Sequence, residues 1–248
     1  MRFFELNKNV KTMNIIVTGA SRGIGYELVK ILSSDSKHTI IAVSRNSQKL
    51  EQLKKDCLLL NPASNIIPLA CDLTEKNAVE KLISEIKKNV SSINILINNA
   101  GALLNKPFET IAAADLEYVY NVNVFSVIRL IQAVLPLMDG GQKSHIVNIS
   151  SMGGFQGSAK FAGLAAYSSS KAALACLTEC LAEEYKEKNI AFNCLALGAA
   201  QTEMLQEAFP GYKAPLSASQ MASFIADFSL NAHQYMNGRI IPVSLSTP

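Results

Sequence analysis

Short apolar runs and helical stripes alternate along almost the whole chain. Asn14–Thr18, Thr39–Val43, Ile66–Cys71, Ile93–Ile97, His145–Ile149, Ala191–Leu197 and Arg239–Val243 are rich in β-branched residues and lack strict in/out alternation, the pattern of strands covered on both faces. Between them apolar residues return at helical spacing: Leu28, Ile31 and Leu32; Leu50, Leu53 and Cys57; Val79, Leu82, Ile83 and Ile86 at i, i+3, i+4 and i+7. A long helical stretch is predicted from Asp115 to about Met138, with Pro136 near its end. Further helices are predicted over Tyr167–Tyr185, striped by Leu174, Leu177 and Leu181, and over Ser217–Phe228. Residues 199–216, with two prolines, read as irregular.

Strands separated by helices of ten or more residues form parallel βαβ units with right-handed crossovers. The expected fold class is therefore α/β: a single doubly wound domain over residues 13–248, a seven-stranded, mainly parallel sheet with helices on both faces. No linker, repeat or low-complexity segment divides it. Residues 1–12 stand outside the pattern as an N-terminal extension, either disordered or packed at an edge.

Composition narrows the function. Of 248 residues, 49% are hydrophobic and 17% charged, which is globular. The net charge of +3, from 23 basic and 20 acidic residues without a like-charge run, gives no reason to expect nucleic acid. Five cysteines without a C-x-x-C pair read as free thiols in a reducing, cytoplasmic setting, and three scattered histidines argue against a metal site. No run of eighteen apolar residues occurs, so no membrane span is expected.

The first strand runs into Thr18-Gly-Ala-Ser-Arg-Gly-Ile-Gly25. Gly19, Gly23 and Gly25 permit a tight turn and a close backbone approach to a pyrophosphate, and the following helix adds amide donors; a purely structural turn is the other reading. The second strand ends Val43-Ser44-Arg45, with no acid to hold a ribose 2′-hydroxyl. Arg22 and Arg45 suit a 2′-phosphate clamp, hence NADP(H), or are solvated surface charges. Asp72 and Leu73 follow the third strand and Asn98-Asn-Ala-Gly101 the fourth, at strand ends where such sheets bind ligands. Asp72 serves equally well as a cap of the next helix.

Farther on, Tyr167-Ser-Ser-Ser-Lys171 puts a phenol and an ammonium at i and i+4 on one helical face. The cation is expected to lower the phenol pKa toward working pH, as a general acid/base requires; a plain surface pair is the alternative. Ser151, ending the fifth strand, suits holding a carbonyl oxygen, with Ser150 as its neighbouring candidate. Asn123, in an apolar helical stretch, needs a hydrogen-bond partner if buried.

Taken in this order, the glycine turn, Asp72, Asn98-Asn-Ala-Gly101, Asn123, Ser151 and Tyr167-Ser-Ser-Ser-Lys171 resemble the classical short-chain dehydrogenase/reductase family, over essentially Asn14 to Val243. The resemblance implies a Rossmann domain and a hydride transfer between NADP(H) and a small carbonyl or alcohol. It implies cofactor contacts at Gly19, Ser21, Arg22, Gly23, Ile24, Gly25, Ser44, Arg45, Asp72, Leu73, Asn99, Ala100, Gly101, Tyr167, Lys171, Ala200 and Thr202. It also implies Tyr167 as proton donor, Lys171 lowering its pKa, Ser151 orienting the substrate oxygen, Asn123 ordering a water, and a homodimer or homotetramer. Sepiapterin- and diketone-reducing members, and 3-oxoacyl reductases, are the similar branches.

Three departures from the family pattern bear on the pocket. Ser151 and Tyr167 are sixteen positions apart, about three more than usual, so the segment around Gly157–Gly163 is expected to reshape the wall. Leu197-Gly198 stands where Pro-Gly is usual, and Ile240–Val243 lacks the glycine pair that typically follows the last strand. A binding-only, regulatory or scaffold protein is the rival reading; the joint presence of Asn123, Ser151, Tyr167 and Lys171 speaks for the enzyme.

Overall fold

The computed structural model describes residues 12–138, 141 and 143–245, so the expectation for residues 1–12 lies outside it for all but the last. In chain order the elements are β1 (Asn14–Thr18), α1 (Gly23–Leu32), β2 (Thr39–Ser44), α2 (Ser47–Leu60), β3 (Asn65–Ala70), α3 (Ala78–Asn89) and β4 (Ile95–Asn98). There follow α4 (Ala113–Tyr120), α5 (Ser126–Val134), β5 (Ser144–Ser151), α6 (Ala165–Glu184), β6 (Ile190–Leu197), β7 (Ala200–Gln201), α7 (Glu203–Ala208), β8 (Leu216–Ser217), α8 (Ala218–Asn231) and β9 (Arg239–Val243).

Seven strands form one sheet in the order β3-β2-β1-β4-β5-β6-β9, and every pairing is parallel. The two-residue β7 and β8 pair separately. Alternation along β1 feeds two cores. Ile15 and Val17 meet Leu28 and Val29 of α1, Leu50 and Leu53 of α2, and Ile225 of α8. Ile16 points the other way, to Leu82 and Ile86 of α3, Leu130 of α5 and Leu174 of α6. Burial on both faces is why the strands read as continuous apolar runs. The chain leaves β1 toward β2 and returns to its other side at β4, so a crevice opens at their carboxyl ends, the topological switch point of such sheets.

The long helix differs from its prediction. Asn121–Phe125 is a π-helical turn between α4 and α5, and Leu135–Leu137, around Pro136, is 3-10. The run Ala113–Leu137 is long and apolar enough to cross a membrane by length and composition, with mean hydropathy 1.3 over its most apolar window. Val119 of α4 and Val127, Leu130, Ile131 and Val134 of α5 are nonetheless buried in the fold. The segment expected to be irregular contains β7, the six-residue α7 and the start of β8, elements too short to show a period.

Candidate active site

The switch-point crevice is a cleft of about 830 Å³. Every residue expected to touch a cofactor lines it: Gly19, Ser21, Arg22, Gly23, Ile24, Gly25, Ser44, Arg45, Asp72, Leu73, Asn99, Ala100, Gly101, Tyr167, Lys171, Ala200 and Thr202. Ser151 lines it too. Asn123 does not; it is fully buried behind the wall.

The glycine turn is held closed from two sides. Gly19 and Gly23 have φ of +69° and +57°, the left-handed region that favours glycine. A methyl at Gly25 would lie 2.3 Å from the Gly19 carbonyl oxygen and 2.5 Å from Asn99 Nδ2. The turn thus folds onto itself so tightly that only glycine fits. Asn99 Nδ2 donates to the Thr18 and Gly19 carbonyls at 2.9 and 3.4 Å, while Thr18 Oγ1 accepts from the Asn99 and Ala100 amides at 3.0 Å each. The Asn99 side chain therefore braces the turn against β4.

At the end of β2, Ser44 Oγ is buried with no hydrogen-bond partner among the described residues. Next to it, the Arg45 guanidinium makes a long, 3.5 Å contact to the Tyr118 hydroxyl. An orphaned donor beside a cation, on the wall of a cleft, fits an anionic group of a nucleotide. Asp72 does not cap the next helix, α3, whose N-cap is Asn77; it caps the turn before it, Oδ1 accepting from the Thr74 amide at 3.0 Å and its hydroxyl at 2.7 Å. These bonds hold its carboxyl below the usual range against the opposing effect of burial, with Arg45 assisting. Thr202 likewise caps α7 through the Leu205 amide at 3.2 Å.

At the other end of the cleft, β5 delivers Ser151 and α6 delivers Tyr167 and Lys171. The two serines at the end of β5 separate cleanly. Ser150 Oγ donates to the Lys171 carbonyl at 2.8 Å, tying β5 to α6. Ser151 is partly exposed, accepts from the Gly153 amide at 3.2 Å, and faces the cleft beside the phenol of Tyr167. The 3-10 turn Met152–Gly154 makes this approach possible. A methyl at Gly154 would lie 2.6 Å from the Ala172 nitrogen, and one at Gly153 2.7 Å from Ser168 Oγ. These glycines were not singled out from the sequence, although Met152-Gly-Gly directly follows Ser151.

Lys171 is buried, 4% exposed, and its ammonium donates to the Ile149 carbonyl at 2.8 Å. Desolvation brings its pKa down to about 8. The tyrosine corrects an expectation. Burial pushes the Tyr167 phenol up, and the neighbouring Ser151 hydroxyl is what pulls it back; the lysine does not depress it. The reason is geometric: Lys171 Nζ is directed at the β5 backbone beneath the cleft. Gly101 keeps that space open, since a methyl there would lie 3.3 Å from Lys171 Nζ and 3.4 Å from Asn123 Oδ1.

Asn123 sits in the π-helical turn. Its Oδ1 accepts from the Ala102 amide at 2.8 Å, and its Nδ2 donates to the Ala102 carbonyl and Ser170 Oγ at 2.9 Å each. The side chain expected to order a water is engaged with protein through both polar atoms. It fastens the β4 loop to α6, one residue from Lys171.

The 152–164 segment, α7 and the turn after it wall the remaining space with Met152, Ala159, Phe161, Leu164, Met204, Leu205, Phe209 and Tyr212. Phe161 and Tyr212 are 60% and 51% exposed. The longer spacing between Ser151 and Tyr167 forms this wall, anchored where the Lys106 amide donates to the Gly163 carbonyl at 2.9 Å. Lys49 of α2 also lines the cleft. Its position four residues after Arg45 was the only sign of it in the sequence.

A protein-family model described as short chain dehydrogenase matches residues 13–213. A fatty acyl-CoA reductase of Acinetobacter baylyi is 32% identical over 200 residues, covering 80% of this chain and 66% of its own. An L-2,3-butanediol dehydrogenase of Corynebacterium glutamicum is 34% identical over 194 residues, covering 77% and 73%. A Drosophila melanogaster dehydrogenase/reductase SDR family protein 7-like is 34% identical over 200 residues, but this chain spans only 60% of it. Among solved structures, a levodione reductase superposes with TM-score 0.85 at 23% identity, covering 94% of this chain and 96% of its own. The Pseudomonas aeruginosa RhlG/NADP active-site complex gives TM-score 0.82 at 24%, covering 95% and 96%. At these identities the two structures attest the fold.

Proposed function

The chain belongs to the short-chain dehydrogenase family of oxidoreductases, which use nicotinamide cofactors, and on that premise we propose that it reduces a small apolar ketone to an alcohol with NADPH. The observation that carries the reading is the meeting of Ser151 and Tyr167 on the cleft wall, with the Lys171 ammonium beneath them.

Gly19, Gly25 and the start of α1 would hold the pyrophosphate of the cofactor. Ser44 and Arg45 would hold the 2′-phosphate, and the space over Gly101 and Lys171 would take the nicotinamide ribose. When bound, the reduced nicotinamide supplies the hydride. The Ser151 hydroxyl orients the substrate oxygen. The Tyr167 phenol, kept protonated by burial, donates its proton to that oxygen as negative charge develops there. Lys171, charged below about pH 8 and anchored by the Ile149 carbonyl, would hold the nicotinamide ribose with its ammonium. Asn123 is a positioning residue that holds the floor under Lys171.

Charged side chains around the cleft are Arg22, Arg45, Lys49 and Asp72 at its cofactor end, Lys171, and Glu203 of α7, whose carboxylate lies toward Gly23. Around Met152, Phe161, Leu164, Leu205 and Phe209 the lining is apolar, which favours a ketone without a charged group near its carbonyl. The test is a panel of aliphatic, aromatic and acidic ketones with NADPH and with NADH, followed by loss of nicotinamide absorbance. Turnover of neutral apolar ketones with NADPH is expected. A preference for oxo acids, or for NADH, contradicts the reading.

A further inference from the structure

Arg22 and Glu207 stand 185 residues apart in the chain and form a two-pronged ion pair: Nη1 to Oε1 at 2.5 Å and Nη2 to Oε2 at 3.2 Å. Arg22 belongs to the glycine turn. Glu207 belongs to α7, the short helix whose Met204 and Leu205 wall the substrate end of the cleft. The contact is thus a bridge between the two halves of one site. Both partners respond to it: their shared hydrogen bond holds the Arg22 guanidinium above, and the Glu207 carboxyl below, their ordinary values. Glu203, also on α7, adds attraction on Arg22.

Arg22 also lines the cleft together with Ser44, Arg45 and Lys49. Ser44 Oγ is buried there without a hydrogen-bond partner among the described residues. The Nη1/Nη2 edge of a guanidinium grips one bidentate acceptor at a time. A phosphate brought to that end of the cleft meets an arginine whose edge is already taken by a carboxylate.

We propose that Glu207 is a specificity-determining residue that competes with the 2′-phosphate of NADPH for Arg22, so that NADPH, unlike NADH, exchanges the Arg22–Glu207 pair for an arginine–phosphate pair and uncouples α7 from the glycine turn. This rests on the NADPH reading above. Glu207 lowers the affinity for NADPH and leaves that for NADH untouched, because NADH presents no acceptor to Arg22. The cofactor that enters at one end thereby frees the wall at the other.

Calorimetric titration of NADPH and NADH into the wild type, Glu207→Gln, Arg22→Gln and the double variant tests this. Glu207 is 62% exposed, so its substitution disturbs no core packing. Glu207→Gln is expected to lower the Kd for NADPH by up to about fivefold, the scale of an exposed ion pair, with the Kd for NADH unchanged. The gain must vanish when Arg22 is already Gln. No change, an equal change for both cofactors, a weaker NADPH complex, or a gain that survives in Arg22→Gln overturns the proposal. Equal wild-type affinities for NADPH and NADH overturn the cofactor reading itself, and the proposal with it; a retained NADPH preference that ignores Glu207 overturns the proposal alone.

Discussion

Replacing Gly25 with alanine places a methyl group 2.3 Å from the Gly19 carbonyl oxygen, 2.5 Å from Asn99 Nδ2 and 2.9 Å from the Gly19 carbonyl carbon. Real carbon–oxygen contacts begin roughly 1 Å farther out. None of the three obstacles is a flexible chain end. Two are backbone, and the Asn99 amide is fixed by its 2.9 Å bond to the Thr18 carbonyl. The turn must therefore open, at a cost of about 1–3 kcal/mol, the usual range for an overpacked site. A turn that binds through its own backbone loses geometry together with stability. Of that cost, about 1.4–2.8 kcal/mol falling on the bound state corresponds to a Kd for NADPH about 10- to 100-fold weaker. The assay is nicotinamide fluorescence titration at a temperature where circular dichroism shows the variant folded. Gly157→Ala is the control: that glycine also has positive φ, +81°, but nothing within 4 Å of the added methyl, so it costs stability while leaving Kd unchanged. If Gly25→Ala binds NADPH within a factor of about two of the wild type, the close-packed turn does not hold the phosphates.

Three further outcomes follow from the site and the core. Lys171 is a cation only below about pH 8, so kcat/KM for NADPH should be level at lower pH and fall as pH rises through about 8; Lys171→Arg should carry the break past about 10, and a break unmoved by that substitution contradicts the assignment. His145 is fully buried and neutral, its pKa lowered from 6.5 to about 3 by desolvation, so the unfolded chain binds its proton first, and stability present above pH 6.5 is lost as pH falls toward 3. At pH 5 this one group costs about 2 kcal/mol in urea unfolding, a loss that His145→Gln should not show. Arg45→Asp should raise KM for NADPH by about 10-fold or more, from the loss of a charge-assisted bond and added repulsion, with little change for NADH; an equal response of both cofactors removes Arg45 from the phosphate site.

The parts of this molecule legible in its sequence are those whose physics is local. Strands such as Thr39–Ser44 and Ser144–Ser151 announce themselves because two-sided burial demands an apolar residue at nearly every position. The glycine turn is legible because positive φ at Gly19 and Gly23 restricts the residue type. The π-helical turn at Asn121–Phe125 is not, since one extra residue per turn barely disturbs a stripe of apolar positions. Nor is α7, whose six residues span less than two helical turns. What touches what across the chain is hidden as well. Spacing put Lys171 beside Tyr167, yet the ammonium turns to the Ile149 carbonyl and the phenol answers to burial and Ser151. The Arg22–Glu207 pair has no local signature.

In the proposed reaction Tyr167 is the group that delivers the proton. Steady-state kinetics of Tyr167→Phe on a ketone turned over by the wild type, with NADPH binding measured in parallel, tests it directly. A fall in kcat of about 10²- to 10⁴-fold with the NADPH Kd essentially unchanged is the predicted result. A variant that keeps wild-type turnover contradicts it.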